Sequence, residues 1–190
     1  NVQRLTLGMV QSSSFEATEA VKTLASAIRL DCNLEHLTLR MESGFTDEAG
    51  MALAEALTVN KTLREITLSD TEGDRIVRNK AALGARSYQA FATMLRVNTN
   101  LDLELPPLDV AVRDERIFEA YTQMQIEQRL NEVGRGRLLA SSQTTKEEWV
   151  DALHELNYDD VDDEQPEALR VSCMYSLLHL NPSELFACPS

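Results

Sequence analysis

"GFTDEAGMALAEALTVNKTLREITL", residues 44 to 68, sets a short alanine-rich helical pattern directly ahead of a strand whose apolar residues recur at fixed offsets. The same unit returns along the chain. Four segments align: "VQRLTL" (2–7), "LEHLTL" (34–39), "LREITL" (63–68) and "LDLEL" (101–105). In the first three, apolar residues stand at positions 1, 4 and 6: Val2, Leu5, Leu7; Leu34, Leu37, Leu39; Leu63, Ile66, Leu68. The last two of each triplet alternate, so they share one face of a strand. A segment of helical period precedes each later strand: "EATEAVKTLASAIR", "DEAGMALAEALTV" and "ARSYQAFATMLRV". Each carries an apolar residue ten positions before the strand's first leucine (Leu24, Leu53, Phe91) and another six before it (Ile28, Leu57, Leu95).

Equivalent strand positions lie 32 residues apart (Leu5 to Leu37), then 29 (Leu37 to Ile66), then 37 (Ile66 to Leu103). Periods near 30 with one strand and one helix per unit predict an α/β solenoid, in which stacked units bury a continuous core between a parallel sheet and a row of helices. Local chemistry agrees. Thr46 or Asp47 is placed to cap the helix beginning near Glu48, and Ala49, Ala52 and Ala56 let its backbone approach the sheet. Asn33, Asn60 and Asn98 fall in the turns from helix to strand, where asparagine readily bonds the local backbone.

The opening stretch resembles a ribonuclease-inhibitor-type leucine-rich repeat, in which a helix of the form "DEGAxALAEAL" precedes an "LxxLxL" strand. The resemblance covers about residues 1 to 106. It departs from the family three residues after the last strand leucine, where the usual Asn or Cys is replaced by Val10, Glu42 and Thr71. The fourth strand, "NLDLELPPL", is one residue short between its first two leucines and runs into Pro106 and Pro107, so it reads as the end of the array. Because the chain opens inside a strand, further repeats upstream are expected.

Residues 107–190 read as an all-helical C-terminal cap. "DERIFEAYTQMQIEQRLNEV" carries Ile117, Tyr121, Met124 and Leu130 on one face and is ended by Gly134 and Gly136. "TTKEEWVDALHELN" opens with a capping box, Thr145 to Glu148, and turns Trp149, Leu153 and Leu156 inward. "PEALRVSCMYSLLHLNP" has Pro166 in its first turn and Pro182 as its stop. "RLNEVGRGRLL", "TTKEEWVDALHELN" and "LLHLNPSELF" are similar to the C-terminal extension of leucine-rich repeat proteins of diatoms and related algae, which implies architecture rather than activity.

Composition narrows the function. A net charge of −13 argues against nucleic acid or an anionic membrane as ligand, and no apolar run approaches a membrane span. Cys32, Cys173 and Cys188 form no metal or redox spacing; free thiols of an intracellular protein, cytoplasmic or nuclear, are the expected state, with a Cys173–Cys188 bridge as the alternative. His36, His154 and His179 lack metal-ligand spacing. Between residues 147 and 167 lie ten acidic residues, but frames begun at Asp159 or Asp160 put Glu164 or Gln165 where a calcium loop needs glycine. No enzyme, cofactor or metal is therefore expected.

What remains is a binding surface. Strand residues facing away from the leucines form three columns: Arg4, His36, Glu65 and Asp102; Thr6, Thr38, Thr67 and Glu104; Gly8, Arg40 and Ser69. In a curved solenoid this is the concave face, expected to meet a protein partner. The third repeat adds a basic insertion, "TEGDRIVRNKAALGARS", whose Arg75, Arg78, Lys80 and Arg86 make either a solvated loop or a contact for an acidic partner. Two functions are expected from this reading: a scaffold, adaptor or assembly subunit, or a regulator of a GTPase or other enzyme by direct binding, by fold-level analogy with the Ran GTPase-activating protein type of leucine-rich repeat.

Overall fold

The computed structural model describes residues 3–9, 13–30, 33–41, 44–69, 83–106, 108, 114–140, 144–157 and 167–180. Over these the chain is mixed α/β, with four strands and seven helices among the described residues: β1 (Arg4–Met9), α1 (Ser14–Arg29), β2 (His36–Met41), α2 (Asp47–Val59), β3 (Glu65–Ser69), α3 (Ala85–Val97), β4 (Asp102–Glu104), α4 (Glu115–Glu132), α5 (Arg135–Ala140), α6 (Lys146–Asn157) and α7 (Glu167–Leu180).

The strands make one parallel sheet in the order β1-β2-β3-β4. Its register puts Leu5 beside Leu37, Leu37 beside Ile66, and Ile66 beside Leu103. Leu37, Leu39, Ile66, Leu68 and Leu103 are buried, whereas on the edge strand β1 Leu5 is half-buried and Leu7 is exposed. β1, β2 and β3 begin two residues later than the leucine pattern suggests, and β4 one residue later. Leu34 and Leu63 precede the ladder, yet both are buried, so the first leucine of each motif anchors the approach to the strand rather than its pairing.

Helices α1, α2 and α3 pack in sequence against the leucine face. Ile28, Leu53, Leu57, Phe91 and Leu95 are all buried there, in agreement with the offsets of ten and six, and Leu24 is half-buried. Gly50 sits where α2 meets α3. A methyl group at that position would stand 2.8 Å from both Ser87 Cβ and Leu83 Cδ2, so glycine sets how closely the two helices approach.

Thr46, one of the two residues read as a cap for α2, does cap it, and a capping box not read from the sequence opens α1. Ser13 and Glu16 form a capping box on α1, and the Thr46 hydroxyl accepts from the Ala49 amide on α2. Asp47 does not cap its own helix. Its Oδ1 accepts from Gly84 N (2.8 Å), Ser87 N (3.1 Å) and Ser87 Oγ (2.7 Å), and so caps α3, whose N-cap residue Gly84 has no side chain to do it.

The chain divides into two compact units, 1–124 and 125–190, parted within α4. The first unit extends beyond the strands to Ile117, Ala120, Tyr121 and Met124, with Tyr121 edge-on to Tyr88 at 5.2 Å between ring centroids. The second has its own core of Ile126, Leu130, Val133, Leu138, Trp149, Ala152, Leu156, Leu169, Cys173 and Leu177. Cys173 is a free, buried thiol, while Cys32 and Cys188 lie outside the described residues.

Two details of the second unit differ from expectation. Gly134 ends α4 with φ of 83°, a left-handed turn natural to glycine, but Gly136 lies inside the short helix α5. A fourth helix thus joins the three read from the pattern. Its Arg135 is buried and pairs with the buried Glu127 while also donating to Asn131 Oδ1 at 2.6 Å. The Thr145–Glu148 capping box on α6 forms as read, with Thr145 N to Glu148 Oε2 at 2.9 Å and Glu148 N to Thr145 Oγ1 at 3.3 Å.

Candidate binding face of the sheet

Alternation along a strand sends leucines one way and their neighbours the other. Across the parallel ladder those neighbours line up. One row runs Arg4, His36, Glu65, Asp102, a second runs Thr6, Thr38, Thr67, Glu104, and a third runs Gly8, Arg40, Ser69. Arg4, Thr6, Arg40, Glu65, Asp102 and Glu104 are exposed, and His36, Thr38, Thr67 and Ser69 are half-buried. Neighbouring strands lie about 4.8 Å apart, so a row of four spans about 14 Å.

Two contacts fix side chains across strands. His36 Nδ1 lies 2.8 Å from Glu65 Oε2. A carboxylate can only accept, so Nδ1 carries the proton, and in the neutral ring Nε2 is left as an acceptor. The Thr67 hydroxyl donates to Glu104 Oε2 at 2.9 Å. The rows therefore carry charge in a direction: arginines on β1 and β2, carboxylates on β3 and β4.

Alternation missed a third contact. Gln3 Nε2 donates to Glu35 Oε1 at 3.2 Å, just ahead of β1 and β2. Both residues precede the paired strand, where a period of two does not apply. A signal existed in the backbone spacing, because the Glu35 amide bonds Gln3 O (2.9 Å) and the Arg64 amide bonds Glu35 O (2.8 Å), which carries the stacking one residue further.

Arg75, Arg78 and Lys80 lie outside the described residues. Arg86 is exposed in the first turn of α3, a helix packed on the opposite, leucine-bearing side of the sheet. Among the described residues no three His, Cys, Asp or Glu side chains gather as a metal site would require, and no helix is long and apolar enough to cross a membrane.

The turns from helix to strand hold a second ladder. Asn60 Nδ2 donates to Ile28 O at 2.8 Å, and its Oδ1 accepts from the amides of Thr62 (3.0 Å) and Leu63 (2.8 Å). Asn98 repeats the pattern one step on, donating to Leu57 O at 2.8 Å and Asn60 O at 2.9 Å. Both are buried. Val10, Glu42 and Thr71, the positions after the strands, lie outside the described residues; among the described residues the asparagine ladder is at the helix-to-strand turn. This ladder holds the strand starts in line and thereby the rows of the polar face.

No protein-family model matches the sequence, and no curated protein matches it either.

Proposed function

We propose that this chain is a non-enzymatic protein–protein interaction module, a scaffold, adaptor or assembly subunit, that receives its partner on the polar face of the sheet. In this reading residues 1–106 form a short leucine-rich array of the ribonuclease-inhibitor type, and residues 107–190 follow it as a helical C-terminal segment. The in-register leucine ladder, one helix per strand, and an asparagine that ties each step to the one before support the array.

The observation that carries the functional reading is the alignment of the polar rows over a buried, in-register core. Side chains held by a paired backbone lose little freedom on binding, which favours recognition over a mobile surface. The charge direction describes the partner: carboxylates opposite Arg4 and Arg40, and basic groups opposite Glu65, Asp102 and Glu104. No Trp or Tyr stands in the rows, so affinity is expected in the micromolar range rather than below it.

The test is capture of partners from source lysate by the wild type and by a His36→Glu, Thr38→Arg, Thr67→Arg variant that remains folded by circular dichroism. A partner held by the first and lost by the second supports the polar face as the site. Equal capture by both rejects it.

A further inference from the structure

Three exposed apolar side chains occupy one equivalent position in three successive units. Leu30 is 83% exposed, Val59 49% and Val97 55%. Each stands four residues before the buried leucine that leads into the next strand: Leu34, Leu63 and Leu101. The equivalence does not rest on the pattern alone. The Asn60 side chain bonds Ile28 O, and the Asn98 side chain bonds Leu57 O, which identifies Ile28 with Leu57 and therefore Leu30 with Val59.

Nothing in the local fold calls for an apolar residue here. The position faces solvent at a helix end, where a polar or basic side chain would meet the unsatisfied carbonyls and the negative end of the dipole better than leucine or valine. A single exposed valine carries no meaning, but the same exposed apolar position repeated in three successive units makes a row of apolar anchors along one rim. In a chain of net charge −13, basic residues flank this row: Arg29 beside Leu30, Lys61 near Val59 and Arg96 beside Val97, all exposed. Asp31, also next to Leu30, lies outside the described residues.

We infer that this rim, separate from the polar sheet face, docks an acidic amphipathic helix of a partner protein. Successive anchors are spaced between the roughly 4.8 Å of neighbouring strands and the roughly 8–10 Å of packed helices. Apolar residues at i, i+4 and i+8 of a helix rise about 6 Å per step, inside that interval. Acidic residues flanking that stripe meet Arg29, Lys61 and Arg96. The contact is an amphipathic helix laid along the row with its apolar face inward, of modest area, with the charges steering the approach.

The experiment titrates the isotope-labelled full chain with three synthetic helical peptides and follows its amide resonances. One peptide carries leucines at i, i+4 and i+8 with glutamates between them. The second replaces the glutamates with lysines, and the third replaces the leucines with serines. The expected result is saturable shifts centred on Leu30, Val59 and Val97 with the first peptide only, weakened at least tenfold by Leu30→Gln, Val59→Gln, Val97→Gln. Arg29→Gln, Lys61→Gln, Arg96→Gln should weaken it less and abolish its salt dependence. These side chains are exposed, so the variants should keep the wild-type spectrum without peptide.

Equal binding of the acidic and basic peptides, shifts centred elsewhere, or no saturation overturns the inference. Concentration-dependent dimerisation in sedimentation, removed by the triple Gln variant, also overturns it by making a second copy the occupant. Because none of these substitutions touches the sheet rows, loss here with partner capture unchanged separates this surface from the polar face.

Discussion

Asp47 carries more than its position suggests. It begins α2, yet its carboxylate serves the start of α3, accepting three hydrogen bonds there. Asp47→Ala should cost about 1–3 kcal/mol, the range for losing a charged acceptor that leaves buried donors unmet, while Thr46→Ala should cost closer to about 1 kcal/mol. Urea denaturation of the two variants checks the order. Gly50→Ala is a sharper test because two effects oppose. Alanine is the better helix former by about 1 kcal/mol, but its methyl would press on Ser87, which Asp47 holds in place. Overpacking of this kind costs about 1–3 kcal/mol, so net destabilisation is expected in the same assay.

Cys173 makes a prediction about pH. Burial raises its thiol from an ordinary 9.0 to about 11. Between those values the unfolded chain has released the proton and the folded chain has kept it. Its contribution to stability is therefore complete below pH 9.0 and falls as the pH climbs toward 11. The difference in unfolding free energy between wild type and Cys173→Ala, measured across that interval, should shrink as pH rises. The same burial should keep this thiol unreactive toward a disulfide reagent until the protein unfolds.

Among the elements, the sheet and the first three helices were legible in the sequence because each repeats. Leu37 and Ile66, read as equivalents, are neighbours in the ladder, and α3 occupies the span read for it. The polar rows followed from the same register. What was not legible depends on contacts between successive helix–strand segments of the first unit rather than within one segment. Asp47 reaching Ser87, and Asn98 reaching Leu57, span 40 and 41 residues and leave no local pattern. The helix α5 was hidden for another reason: two glycines within "GRGR" read as a stop, and only the first has the left-handed backbone that stops a helix.

The asparagine ladder can be tested at this scale. Asn60→Ala would strand the Ile28 carbonyl and the Leu63 amide in the interior, at about 2–4 kcal/mol for two unmet groups. Asn98→Ala removes donors to Leu57 and Asn60 carbonyls and should cost a similar amount. Because Asn98 bonds the backbone of Asn60, a double-mutant cycle should show coupling of at least about 0.5 kcal/mol. By contrast, the exposed pair Lys22–Glu48 between α1 and α2, at 2.9 Å, should leave stability almost unchanged when Glu48 becomes Gln.

At the scale of the molecule, two cores imply two responses to damage. Glu127 and Arg135 are paired inside the second unit, and removing one partner leaves the other charge buried. Glu127→Ala should cost about 3–5 kcal/mol, whereas Glu127→Met with Arg135→Leu should cost much less. Hydrogen exchange should show the loss of protection in α5, α6 and α7 under Glu127→Ala, with the strand amides of β2 and β3 retained.

The order β1-β2-β3-β4 also has a consequence for how the chain reaches its fold. Every strand pairs with the one before it in sequence, across 32, 29 and 37 residues at Leu5–Leu37, Leu37–Ile66 and Ile66–Leu103. Among the described strands no pairing must wait for a distant segment. Closure entropy is met in three similar, modest steps. During synthesis, β2 can dock on β1 once α1 has emerged, and each later strand finds a finished edge already waiting. The sheet can thus be assembled in the order in which it is made, with the growing edge as template and the most recently added strand always the last exposed.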